Sequence, residues 1–261
     1  LSDLVGTDGG DSMNEDREQM RQRKRQMKKQ RLLRNLMLVF VVLVAFYVFL
    51  NSEYFMINEV KVDGLVYIEP EEIRQYAAVS AGTKLWEVNE RELADRLKRH
   101  PRVKDVEIVR DLPSGLTIKI EERIPVGLVP YHGNYLEVDR EGRVLALRQG
   151  TKVDLPVITG IELERQLVGD IITVAGFQNA TFCATSLGDL QVKISEINLR
   201  DDGTIVMYTN DGIPIYFGQA SEQTERKLKD LAAILIDIWS NDLDVIEVDV
   251  SVPGRPVIKP K

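Results

Sequence analysis

The sequence holds one cysteine, Cys183, and two histidines, His100 and His132, in 261 residues. A lone cysteine excludes an intrachain disulfide, even in an oxidising compartment. Two isolated histidines and one cysteine also fall short of the three or four ligands that a zinc site requires. Nucleophile and phosphate motifs are missing too: there is no Ser-x-x-Lys, no Gly-x-Ser-x-Gly and no Gly-x-x-x-x-Gly-Lys. Carboxylates are so plentiful, at 41, that pairs such as Glu121-Glu122 or Asp201-Asp202 discriminate nothing, and they stand where solvated strand ends and turns expect them. These absences predict a protein that is not an enzyme and uses no cofactor or metal. Cys183, among apolar neighbours, reads as a buried thiol.

Positive charge is lacking where a nucleic-acid binder would need it. Residues 1–50 carry 9 basic and 6 acidic side chains, hence +3; the whole chain is −7, which leaves −10 on the remainder. Long apolar runs are scarce as well. The single one, Leu36 to Leu50, contains no charge, Pro or Gly, and follows a basic tract of Arg17, Arg21, Arg23, Lys24, Arg25, Lys28, Lys29 and Arg31. With Leu32, Leu33, Arg34 and Asn35 in front, the segment reaches about 19 residues, enough for an α-helix to cross roughly 30 Å of hydrocarbon. No small-x-small cleavage site follows it, and a water-soluble helix this long would keep a polar face. The charge asymmetry predicts the N-terminus in the cytoplasm and everything after Asn51 outside. The basic tract would then meet anionic inner-leaflet lipid. Residues 1–16 have the composition of a disordered segment, and Met13 is a natural first residue, which leaves 1–12 as either an upstream extension or an odd start. The expected division is a tail at 1–31, disordered then basic, a membrane span at 32–52, and two units at 55–124 and 125–261.

Beyond the span, Ile57–Val62 reads as a strand ended by Asp63-Gly64. Pro70 opens a helix with acids in its first turn. After a break at 80–83, Asn89 caps a second helix with Glu92 completing a capping-box-like pair, and Leu93, Ala94 and Leu97 form its apolar stripe. Val103–Arg110 and Leu116–Glu122 are strands around the turn Leu112-Pro113-Ser114-Gly115, with Val106, Ile108, Leu116, Ile118 and Ile120 alternating. In the second unit, 124–127 reads as a lead-in. Tyr135–Val138 and Arg143–Leu147 form a hairpin, Leu155–Thr159 a strand and Gly176–Leu187 a helix. Val192–Asn198, Thr204–Thr209 and Pro214–Phe217 follow, joined by Asp201-Asp202-Gly203 and Asn210-Asp211-Gly212. Ser221 caps a long helix whose stripe is Leu228, Leu231, Ala232, Leu235, Ile238 and Trp239. Ile246–Val252 closes the sheet with alternating Ile246, Val248, Val250 and Val252, and Trp86 reads as a buried aromatic ahead of the alternative, an exposed docking anchor.

The stretches AsnGluValLysValAspGly, LysLeuTrpGluValAsn, ProArgValLysAspVal, LeuProSerGlyLeu, GluGluArgIlePro and AspLeuProValIleThrGly (Asp154–Gly160) occur in order. Together they resemble the POTRA domain and following region of the FtsQ/DivIB family of bacterial cell-division proteins, over roughly residues 20–260. The resemblance implies an α+β fold: a single-pass transmembrane helix, a β-α-α-β-β POTRA domain, and a mixed α/β "β-domain" with an antiparallel-rich sheet. It implies a non-enzymatic divisome scaffold at the septum of the cytoplasmic membrane. Its expected partners are FtsL-type and FtsB/DivIC-type bitopic proteins, and through them a septal penicillin-binding protein.

In that family the partner-binding surface lies on the last strands, which here gives Val250, Ser251, Val252, Pro253, Gly254, Arg255, Pro256, Val257 and Ile258. The better-studied branch carries aromatics there, where this chain has Val, Pro and Ile. Docking by β-augmentation is the expected mode. Pro253 and Pro256 equally suit a terminal strand protected from unwanted pairing. The edge and helices of the POTRA unit offer a second docking surface. A membrane-anchored cell-wall enzyme, or an accessory subunit of one, is the competing reading. A POTRA-bearing translocation component would need a β-barrel, for which about 135 residues of mixed α and β leave no room.

Overall fold

A computed structural model describes residues 31–80, 82–151 and 154–261. The expected tail lies outside these residues apart from Arg31. Helix α1 (Arg31–Leu50) has 20 residues, and none of it is buried inside the protein. At 1.5 Å per residue it spans about 30 Å, one hydrocarbon thickness. A single 3₁₀ turn, Glu53–Phe55, leads directly into the folded body.

The first body is built from β1 (Glu59–Asp63), α2 (Pro70–Ala77), α3 (Glu90–Leu97), β2 (Val103–Asp111) and β3 (Gly115–Glu122). Its sheet runs β1-β3-β2, with β1 parallel and β2 antiparallel to β3. Pro70 occupies the first turn of α2, as its fixed φ favours, and Ala78 ends the helix in the left-handed region at φ 46°. Ile73, Leu93 and Leu97 from the helices pack on Leu116, Ile118 and Ile120 from β3. Asn89 does cap α3, accepting from Glu92 N at 3.3 Å. The reciprocal half of the capping box is absent, because the Glu92 carboxylate turns to Arg96 instead (3.2 Å).

Two more expectations fail here. Glu122 is not a solvated strand end. Its carboxylate is buried and accepts the N–H groups of Val66, Tyr67 and Ile68 at 2.7, 2.9 and 3.1 Å, which fixes the β1–α2 loop to the sheet. Trp86 is not buried but 40% exposed, its ring tilted against Phe55. His100 is a latch: Nδ1 accepts from Arg102 N (3.2 Å), so Nε2 carries the proton it shares with Glu72 (3.0 Å).

The second body contains β4 (Pro125–Tyr131), β5 (Asn134–Asp139), β6 (Val144–Arg148), β7 (Val157–Thr159), α4 (Phe177–Asp189), β8 (Ile194–Leu199), β9 (Thr204–Thr209), β10 (Pro214–Gln219), α5 (Thr224–Ser240), β11 (Val245–Asp249) and β12 (Val257–Pro260). Nine strands form one sheet in the order β12-β11-β10-β9-β8-β7-β4-β5-β6. Helices α4 and α5 share its core through Phe177, Cys183, Leu187, Leu228, Leu231 and Leu235, packed with Ile197, Met207, Ile215, Phe217 and Val248.

Strand β4 stands where the sequence offered only a lead-in. Pro125, Gly127 and Pro130 argue against a central strand, yet Pro130 is tolerated because the ladder to β7 is confined to Leu128↔Val157. Ser221 does not cap α5, which starts at Thr224 after Gln223. Its N–H is held by Thr224 Oγ1 at 2.8 Å, shaping the turn before the helix. Trp239, at the end of the α5 stripe, is half-exposed rather than buried.

Gly64 and Gly160 explain two of the motifs. Each has φ near +80° at a strand end, and a Cβ there would lie 2.1 Å from Ile120 O or 2.0 Å from Leu199 O, so no larger residue fits. Burial pushes the Cys183 thiol up to about 12. In the folded protein at pH 8, Cys183 should therefore resist iodoacetamide and react on unfolding. Quantitative alkylation of the native chain would overturn that placement.

Candidate partner-binding edge

A sheet of nine strands has two outer edges, and they differ. At β6 the segment 169–172 covers the start of the edge: Val144 N donates to Asp170 O and Gly169 N to Val144 O, both at 2.8 Å, with a bridge from Arg143 to Ile171. At the other end no described residue covers β12, and all four of its side chains are exposed.

The register of β12 determines what it offers. It runs antiparallel to β11 with Glu247↔Lys259, Val248↔Ile258 and Asp249↔Val257, after a bulge between Val245 and Glu247. Lys261 N donates to Asp244 O at 3.0 Å, so Lys261 faces β11. Backbone groups alternate sides along a strand, so Lys259 and Val257 also face β11, whereas Ile258 and Pro260 face outward. Pro256 and Pro260, two residues to either side of Ile258, have no N–H. In the stretch 256–260 the outward donor is the N–H of Ile258 alone, flanked by outward carbonyls. Such an edge welcomes one short strand in one position and resists open-ended pairing.

The nine residues expected to bind a partner do not act alike. Val250 is buried and donates its N–H to Tyr216 O (3.0 Å), so it belongs to the core. Ser251 N is held by Asp249 Oδ1 at 2.8 Å. Val252, Gly254, Arg255, Pro256, Val257 and Ile258 are exposed, and Pro253 is half-buried. Beyond β11 the alternation expected for 246–252 breaks. Val248 and Val250 point inward, but the bulge and the strand's end leave Ile246 and Val252 exposed.

Two further residues support this edge, and no local sequence signal marks them. Lys227, buried on α5, donates to Phe217 O (2.6 Å) and Gln219 O (3.0 Å) and lies 4.1 Å from the Phe217 ring centre. Burial pushes its ammonium below the ordinary lysine value. It occupies carbonyls of β10 just past the two register pairs, Ile215↔Val248 and Tyr216↔Asp249, that join β10 to β11. Tyr216 is part-exposed on the face shared with Asp249 and Val257.

The edge of β2 is a poorer dock. Its Val106 N–H is taken by the Asp105 side chain (2.8 Å), and Lys98 closes on the same carboxylate (2.7 Å). The Lys98 bond, with help from the Val106 N–H, holds the Asp105 carboxyl below its usual range.

Comparison with known proteins accounts for both bodies. The family model "POTRA domain, FtsQ-type" matches residues 55–123, and "Cell division protein FtsQ/DivIB, C-terminal" matches 127–251. Cell division protein FtsQ of Streptomyces collinus is 31% identical over 220 residues, 79% of this chain and 78% of its own. The chain belongs to the FtsQ/DivIB family. FtsQ of Syntrophotalea carbinolica is 27% identical over 80% of this chain and 75% of its own. DivIB of Geobacillus kaustophilus is 27% identical over 93% of this chain and 90% of its own. These relatives are named as cell division proteins and not as enzymes. The expected reading as a division scaffold thus holds, and the enzyme alternative has no support. Like its family, the protein works in the division complex with other division proteins, and α1 has the length and composition of its membrane anchor.

Proposed function

We propose that the chain is a type II single-pass protein of the septum whose body lies outside the cytoplasmic membrane and recruits division partners by β-augmentation at β12. The units would run 55–124 and 125–261 behind a span at 32–52, with a cytoplasmic tail at 1–31. The partners are bitopic proteins of the FtsL and FtsB/DivIC types, which deliver the scaffold's influence to a septal penicillin-binding protein. One observation carries the reading: β12 is the uncovered end of the nine-stranded sheet, with a single outward donor at Ile258 between two prolines. Main-chain bonds supply affinity there, and side chains alternating beside Val257 and Ile258 supply selectivity.

The test is in vivo photocrosslinking from single positions across 245–259 during division. Positions 257 and 258 should capture one small bitopic protein, and Val248, which is buried, should capture none. Strong crosslinks from β2 with silence at β12 would move the dock to the first body.

A further inference from the structure

We infer that the end of the first body nearest α1 is a membrane-docking face, with Tyr54, Trp86 and Leu112 seated in the headgroup–acyl boundary of the adjacent leaflet. The inference rests on α1 being the anchor. Three segments meet at this end: the exit from α1, the 82–88 loop, and the β2–β3 turn. Backbone bonds bring them together. Leu85 N donates to Phe55 O (3.0 Å), Ile57 N to Thr83 O (2.9 Å) and Asn58 N to Ser114 O (3.0 Å). Arg110 ties the β2 side in through Val88 O (2.9 Å).

Each segment carries a large apolar side chain turned to solvent: Tyr54 at 62%, Trp86 at 40% and Leu112 at 77% exposure. Phe55 links them to the span, with ring centres 5.2 Å from Phe49, 5.4 Å from Tyr54 and 5.1 Å from Trp86. An aromatic row running unbroken from a membrane helix into a folded body fits an interfacial belt, where Trp and Tyr keep an apolar ring in lipid and a polar tip in water.

The connection is too short for this face to sit far from lipid. Ser52 N still donates to Phe49 O (3.1 Å), and Lys84 Nζ reaches Asn51 Oδ1 at 2.7 Å, pinning the 82–88 loop to the last turn of the helix. The charge at this end argues for apolar seating rather than attraction to anionic lipid. Glu53, Glu59, Glu87, Glu90 and Asp111 outnumber Lys61, Lys84 and Arg110. The face should therefore dock on neutral phosphatidylcholine and keep its seat at high salt.

Trp86 is a built-in reporter, because the chain has two tryptophans and none lies in the span. The full chain carrying Trp239→Phe, in phosphatidylcholine nanodiscs, isolates its emission. Co-elution with the disc reports the anchor separately. The expected result is blue-shifted emission, quenching by lipid brominated high on the acyl chain, and shielding from acrylamide, all unchanged in 0.5 M salt. Adding Leu112→Asp should red-shift the emission and lower the bromolipid quenching while the chain stays in the disc. Free acrylamide quenching without bromolipid quenching, in a chain that co-elutes, overturns the docking face and leaves the anchor standing. Quenching that needs anionic lipid or vanishes with salt overturns the apolar mechanism. Failure to enter the disc overturns both.

Discussion

Ile258→Pro should lower affinity for the bitopic partner by ~100-fold and leave the fold intact. The Ile258 N–H faces away from β11, so its removal breaks no bond within the protein. It does remove the outward donor in the stretch 256–260. One lost hydrogen bond is worth about 1 kcal/mol, or several-fold in affinity. The larger part is steric, because the proline ring fills the space in which an incoming strand must approach to ~4.8 Å. Val257→Pro is the misleading neighbour: its N–H points at β11, and its loss would loosen the hairpin itself. Ile258→Thr, which keeps the donor and trims the side chain, should bind within a few-fold of the parent. The check is a calorimetric titration with the partner's extracytoplasmic segment, alongside a thermal melt of each variant. Near-parental binding by Ile258→Pro, with an unchanged melt, would remove β12 as the augmentation edge.

Why that donor pattern could not be read beforehand shows where the sequence stops informing. Elements with local signals are legible. Pro70 at the start of α2, Asn89 before α3 and the two Asp-Gly turns of the second body set their boundaries within a few residues. Strand β4 is illegible because its prolines and glycine give the local signal of a loop, and only its pairing with β5 overrides it. The order of the sheet, with β7 inserted between β8 and β4, follows from long-range pairing that no window of residues contains. At the site, only resemblance to the family marks the last strand. Its outward donors depend on a register set by the bulge at Val245 and Glu247. Buried carboxylates are the other blind spot: Glu122 and Glu137 look like any surface acid of a strand until the fold places N–H groups or arginines around them.

Glu137→Ala should cost about 3 kcal/mol. Glu137 sits on β5 with its carboxylate buried. One oxygen accepts from Arg148 Nε at 2.5 Å, and the other meets the guanidinium of Arg102, which comes from the first body and lies over the Tyr67 ring at 5.5 Å. A second bridge lies alongside. Arg123 Nη1 reaches Asp139 and Glu141, both at 2.7 Å, while its backbone N–H donates to Arg102 O. Removing Glu137 leaves two guanidiniums facing each other without their anion. Breaking a buried pair on one side costs ~3–5 kcal/mol, and the lower end applies because Arg148 keeps access to water. For a body of this size that is a drop of about 6–12 °C in Tm. The pair Glu137→Ala with Arg102→Met should cost less than the sum of the singles, since the methionine removes the charge that the first change strands. Denaturant melts of the four chains in the cycle decide it. A loss under about 0.5 kcal/mol for Glu137→Ala alone would mean that this carboxylate does not hold the two bodies together, and the bridges from Arg123 to Asp139 and Glu141 would then have to carry the junction.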